Sequence, residues 1–175
     1  MKKKILFIIV SIILCSCKSN DLHTTNYFSS VTIDTLLQDK ISIRALLIDK
    51  EKIWYAADQS RFGCIDLKSN QKKEIQIPAD KNREYRSIAQ TKEHIFILSV
   101  ANPALLYRIS KKDLSYELVY QETHEKVFYD SMQFWNDMEG IAIGDPIEGV
   151  FSLLKTIDGG KTWEKTPAKL LPKLV

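Results

Sequence analysis

Three charged residues recur along the chain at nearly constant spacing. Arg44 and Arg86 are 42 residues apart, and Asp130 follows Arg86 by 44. Tyr85 and Tyr129 immediately precede the last two. Arginines delivered from separate segments to one place bind an anionic group through bidentate hydrogen bonds from their planar guanidinium forks. Asp145, in Ile143-Gly-Asp-Pro146, closes a neighbouring apolar run and belongs near the same place. Two readings follow. Arg44, Arg86, Tyr129, Asp130 and Asp145 form a ligand site, or the arginines and aspartates form a structural network that holds neighbouring segments together. Asp145 has a third role open to it, as the cap of a Gly/Pro turn.

Other chemistries lack their residues. His23, His94 and His124 are dispersed through polar segments and have no metal-ligand spacing, so no metal is expected. There is no Gly-x-Gly-x-x-Gly, no Cys-x-x-Cys and no haem motif, so no cofactor is expected. Cys64, in Phe62-Gly-Cys-Ile65, reads as a small core residue. Trp54, Trp135 and Trp163 read as packing aromatics. The chain has 25 basic and 22 acidic residues. Without Lys2, Lys3 and Lys4 the count is 22 of each, and no basic stripe appears, so nucleic acid is not an expected partner.

The elements that carry these residues are short strands. Ile41–Leu47, Ile53–Ala56, Gly63–Leu67 and Glu74–Ile77 are apolar or alternating runs separated by Lys, Asn and Asp clusters. No ten-residue stretch shows a helical stripe. The pattern then repeats. Ser42-Ile-Arg-Ala-Leu-Leu followed by Ile53-Trp-Tyr-Ala recurs as Tyr85-Arg-Ser-Ile-Ala with Ile95-Phe-Ile-Leu, and again as Tyr129-Asp-Ser-Met-Gln-Phe with Gly140-Ile-Ala-Ile-Gly. A period of 40 to 50 residues with four strands in each unit predicts propeller blades. The expected fold is all-β: a partial β-propeller of about three four-stranded antiparallel blades, at residues 40–78, 84–121 and 126–167. Tyr27–Leu37 reads as one strand of a further blade, and the sequence ends at Leu171–Val175 where a fourth would begin. Propellers close their rings with four to eight blades, so the expectation is a truncated form of a longer propeller.

Residues 156–163 read Thr-Ile-Asp-Gly-Gly-Lys-Thr-Trp. They match Ser/Thr-x-Asp-x-Gly-x-Thr-Trp, the Asp-box of BNR repeats. Asp158 suits a turn in which it accepts from the following amides, Gly159 and Gly160 tolerate positive φ, and Thr162 and Trp163 start a new strand. Thr156, Asp158, Gly160, Thr162 and Trp163 are therefore structural residues. With Phe128–Trp135 and Gly140–Pro146, the segment resembles exported BNR-repeat propellers of the Bacteroidetes, akin to photosystem II assembly-factor propellers and more distantly to sortilin-type propellers. The resemblance covers residues 30–172 and is strongest over 126–165. Such proteins often carry the label "oxidoreductase", which no redox motif here supports. It also raises a sialidase-like glycoside hydrolase as an alternative, in which Arg44 and Arg86 grip a carboxylate and Tyr129 acts beside Asp130 and Asp145. The Arg-Ile-Pro entry motif of sialidases is absent.

The first residues read as a signal. Lys2–Lys4 precede an apolar run, Ile5–Cys15, too short to span a bilayer. Leu14-Cys-Ser-Cys17 fits a lipobox with Cys17 as the lipidated residue. Residues 1–16 are thus expected to be a lipoprotein signal peptide, 17–28 a polar tether, and 29–175 the partial propeller. The expected function is a non-catalytic, lipid-anchored scaffold of an outer or periplasm-facing membrane that binds an envelope protein or glycan. A further alternative is a non-functional product of a truncated gene.

Overall fold

A computed structural model describes residues 30–77 and 82–171. The signal, the tether and Cys17 lie outside the described residues. The chain divides into two compact units, Met1–Thr35 and Leu36–Val175. The described part of the first, residues 30–35, has neither helix nor strand. The strand expected over Tyr27–Leu37 is therefore not formed across residues 30–37, where Val31 and Ile33 are exposed. A strand persists only where a ladder partner takes up its backbone groups.

Among its described residues the second unit has twelve strands. They are β1 (Ile43–Asp49), β2 (Lys52–Ala57), β3 (Arg61–Asp66), β4 (Lys72–Gln76), β5 (Tyr85–Gln90), β6 (His94–Ser99), β7 (Ala104–Ser110), β8 (Tyr116–Glu122), β9 (Tyr129–Phe134), β10 (Gly140–Ile147), β11 (Val150–Thr156) and the two-residue β12 (Glu164–Lys165). They form three four-stranded sheets in simple meander order: β1-β2-β3-β4, β5-β6-β7-β8 and β9-β10-β11-β12. Every pairing is antiparallel. β5 contacts both β1 and β9, so the first strands of the three sheets lie side by side.

The sheets stack face to face, and alternation along the middle sheet shows how. On β6, Ile95 and Ile97 join Trp54, Ala56 and Phe62 of the first sheet, while Phe96 and Leu98 join Met132, Phe134 and Leu154 of the third. β7 divides likewise, with Leu105, Tyr107 and Ile109 toward the first sheet and Leu106 toward the third. A sheet buried on both faces needs apolar residues at successive positions, and Ile95-Phe-Ile-Leu98 supplies them. Each such side chain contributes about 1.5–3 kcal/mol on burial. Trp54 stacks on Phe62 with ring centroids 5.7 Å apart, and Trp163 meets Phe134 edge-on at 5.7 Å. Cys64 packs in the first of these cores. Trp135 departs from expectation. It stands past the end of β9 and is 67% exposed, because Phe134 has taken the inward position.

The turns between third and fourth strands share one device, an aspartate that accepts from one or more of the backbone amides after it. Asp66 Oδ1 accepts from Lys68 N at 3.0 Å and Ser69 N at 2.9 Å. Asp113 Oδ1 accepts from Ser115 N at 3.1 Å and Ser115 Oγ at 2.7 Å. In the 156–163 turn, Asp158 Oδ1 accepts from Lys161 N at 3.0 Å, Thr162 N at 3.1 Å and Thr156 Oγ1 at 2.8 Å, and Oδ2 accepts from Thr162 Oγ1 at 2.7 Å. Thr156 Oγ1 in turn accepts from Gly160 N at 3.0 Å. Gly159 and Gly160 hold φ of +75° and +74°.

Candidate functional site

Arg44, Arg86, Asp130 and Asp145 share a property that spacing does not show. Each is the extra, unpaired residue of a β-bulge. Ile43 pairs Ala57 and Ala45 pairs Ala56, which leaves Arg44 over. Tyr85 pairs Ser99 and Ser87 pairs Leu98, which leaves Arg86. Tyr129 pairs Gly144 and Ser131 pairs Ile143, which leaves Asp130. On β10, Gly144 pairs Ser152 and Pro146 pairs Phe151, which leaves Asp145 over on the β11 side, while its amide donates to Phe128 O at 2.8 Å. The remaining register shift among the described strands lies at Leu106/Tyr107 against β8. A bulge bends its strand and re-aims the extra side chain out of the ladder. Here it does so at the same end of β1, β5 and β9, and all four side chains reach solvent. Asp145 is not at a strand-ending turn as expected. β10 continues through Pro146 to Ile147, and the chain reverses at Glu148-Gly149.

The charges are organised around a residue that the sequence reading passed over. Glu84 Oε1 accepts from Arg86 Nε at 2.6 Å and lies 3.4 Å from Arg44 Nε. It thus joins the first strand of one sheet to that of the next. The Arg86 guanidinium also lies over the Phe128 ring, 5.4 Å from its centroid. On the other side, burial and then the negative charge of Asp145 raise the carboxyl pKa of Asp130, against the pull of Arg86. Two cations, a bridging carboxylate and two aspartates make the patch mixed in charge. Glu84 stands two residues before Arg86, and i, i+2 positions of an extended chain share a face. That spacing was the available signal.

Tyr129 does not join this patch. Its ring is buried, and its hydroxyl donates to Glu122 Oε2 at 2.8 Å. Tyr120 donates to the same oxygen at 2.9 Å, and Lys165 pairs with Oε1. Glu122 thereby ties β8 of the middle sheet to β9 and β12 of the third. Burial and then the hydrogen bond to Glu122 push the Tyr129 phenol pKa up. On Glu122, burial pushes the carboxyl upward, but hydrogen bonds from Lys165, Tyr129 and Tyr120 bring it below its ordinary value. Tyr85 is also buried, edge-on to Tyr107 at 6.1 Å. Among the described residues, no three His, Cys, Asp or Glu side chains converge to hold a metal.

No protein-family model matches the chain, and no curated protein matches it in sequence. Solved structures do. YCF48 bound to D1 peptide aligns with a TM-score of 0.57 and 12% identity, over 71% of this chain and 39% of that one. The RRP9 WD40 repeats align at 0.56 and 14% identity, over 74% and 40%. U3-55K aligns at 0.56 and 13% identity, over 75% and 41%. The chain is a partial β-propeller. At these identities the likeness is one of fold, and its three sheets are the blades. The chain spans about two fifths of the length of the structures it matches. The bulged patch lies at one end of the blades' innermost strands.

Proposed function

We propose that this propeller is a binding scaffold whose bulged patch recognises a protein segment carrying charges of both signs. The observation that carries the reading is the placement of Arg44, Arg86 and Asp130 on bulges at one end of the inner strands, with Asp145 on a bulge of the adjoining β10. Arg44 and Arg86 address an acidic group, and Asp130 and Asp145 a basic one. Such complementarity sets specificity and register more than raw affinity. YCF48, which shares the fold, is described with a bound peptide. The turn at Thr156–Trp163 is read as a BNR Asp-box, the chain as an exported lipoprotein anchored through Cys17, and its place as the cell envelope.

Binding is favoured over sialidase-like hydrolysis by one contact. A Tyr nucleophile must reach the substrate held by the arginines. The Tyr129 hydroxyl instead lies in the core on Glu122.

The test is a phage-displayed peptide library panned on the full-length protein in detergent. Enriched peptides should contain both acidic and basic residues, and Arg44→Ala/Arg86→Ala should weaken them by about ten-fold or more, some 1.4 kcal/mol, without lowering the Tm. Enrichment that the double variant leaves untouched would remove the patch from the proposal.

A further inference from the structure

We propose that the opposite end of the inner strands carries a saccharide-binding site built on Trp135. The bulged patch sits at the start of β5, and Gln90 closes the strand four residues later, about 13 Å away at the rise of a β-strand. At that end the ends of β1, β5 and β9 surround an open cavity of about 400 Å³, large enough for one or two sugar rings within the usual range of ligand clefts. Part of its lining is a hydrogen-bonded polar cluster. Lys111 Nζ donates to Asp49 Oδ2 at 2.7 Å and to Gln90 Oε1 at 2.6 Å, joining the first two blades. The Gln90 amide nitrogen and the second Asp49 oxygen have no further hydrogen-bond partner among the described residues. Gln133 Oε1 is in the same position, since Gln133 uses its amide nitrogen on Phe134 O at 3.0 Å. Trp135 also lines the cavity, largely exposed, whereas Trp54 and Trp163 are buried in blade cores.

This combination fits a neutral saccharide better than other ligands. The negative face of an indole attracts the positively polarised C–H groups of a pyranose ring, and its area is large. Carboxylate, amide and ammonium groups beside it pair with the ring hydroxyls, which both donate and accept. An apolar ligand would need an apolar lining, which Asp49, Gln90, Lys111 and Gln133 deny it. An anion would meet Asp49 and Asp137 beside the lysines.

The site is tested on the full-length protein in detergent by titrating oligosaccharides of four residues: chitotetraose, mannotetraose, xylotetraose and cellotetraose. Trp135 is the exposed tryptophan, so its fluorescence reports occupancy. At least one sugar should produce a saturable change. By isothermal titration, Trp135→Ala should abolish binding, Trp135→Phe should keep it in a weakened form, and Gln90→Ala should weaken it by about ten-fold. Arg44→Ala/Arg86→Ala should leave it unchanged, so that failure of the peptide site and failure of this one are separable. Absence of saturable binding by all four sugars, or binding indifferent to Trp135→Ala, overturns the proposal. So does displacement of the sugar by an acidic peptide whose affinity depends on Lys50 and Lys92.

Discussion

Gly160 lies against Phe96 so closely that a Cβ built on it would stand 2.2 Å from Phe96 Cε1. The turn of the third blade therefore has a second function, as a contact surface for the second blade. Gly160→Ala meets both this clash and the strain of φ +74°. It should cost at least about 2 kcal/mol, from overpacking and backbone strain together. Gly149 is the control, since it has φ +78° with nothing within 4 Å of its Cβ position. Gly149→Ala should lose only about 1 kcal/mol. Chemical denaturation midpoints decide it, and equal losses at the two sites would show that backbone strain alone matters.

Asp158 should tie stability to acid. Burial raises its pKa, but hydrogen bonds from Thr162, Thr156 and the Lys161 amide outweigh this and hold it at about 2. A folded value below the ordinary 3.8 means that the contribution is present above the unfolded pKa and is lost as pH falls from about 4 through 2. Asp158→Ala should cost about 1–2 kcal/mol at neutral pH, the size of a lost side-chain cap. The stability gap between wild type and Asp158→Asn should close across that acid window. A gap constant from pH 6 to 2 would show that ionisation is irrelevant.

Asp130 should respond in the opposite sense. Its folded pKa is raised, by burial first and by Asp145 second. A raised carboxyl contributes stability below its unfolded pKa and loses it as pH rises through the folded value. Asp145→Asn should therefore lower the Asp130 titration midpoint followed by carboxyl-carbon NMR, and Arg86→Ala should raise it. Midpoints that do not move would place Asp130 and Asp145 outside each other's field.

The Tyr129 hydroxyl should matter to blade packing rather than to chemistry. Tyr129→Phe leaves the half-buried Glu122 without one of its donors and should cost about 1–2 kcal/mol. It should leave peptide selection at the bulged patch unaltered. A stable variant that loses binding would return Tyr129 to the functional residues.

Cys17 should carry the lipid. Cells fed a clickable fatty acid should label the wild-type chain and not Cys17→Ala. Label that survives in Cys17→Ala and disappears in Cys15→Ala would move the modification to Cys15.

The sequence alone determined the repeat, because each blade must bury apolar faces at a two-residue period and reverse direction at polar turns. Ile95-Phe-Ile-Leu98 marked a strand of the second repeat, and Thr156–Trp163 marked a turn of the third, since aspartate and glycine chemistry satisfies those local amides and angles. The 42- and 44-residue intervals placed Arg44, Arg86 and Asp130 at equivalent positions. Tertiary structure decided what those positions are. A bulge exists only relative to the partner strand, so no local pattern marked Arg44, Arg86, Asp130 and Asp145 as unpaired residues. The same holds for Glu84 between two arginines of different blades, and for Tyr129, whose phenol turned inward to a carboxylate from the neighbouring blade. Trp135 was the converse case. Its type suggested a packed core, but Phe134, the last residue of β9, took the inward position, and Trp135 fell just past the strand on the exposed side.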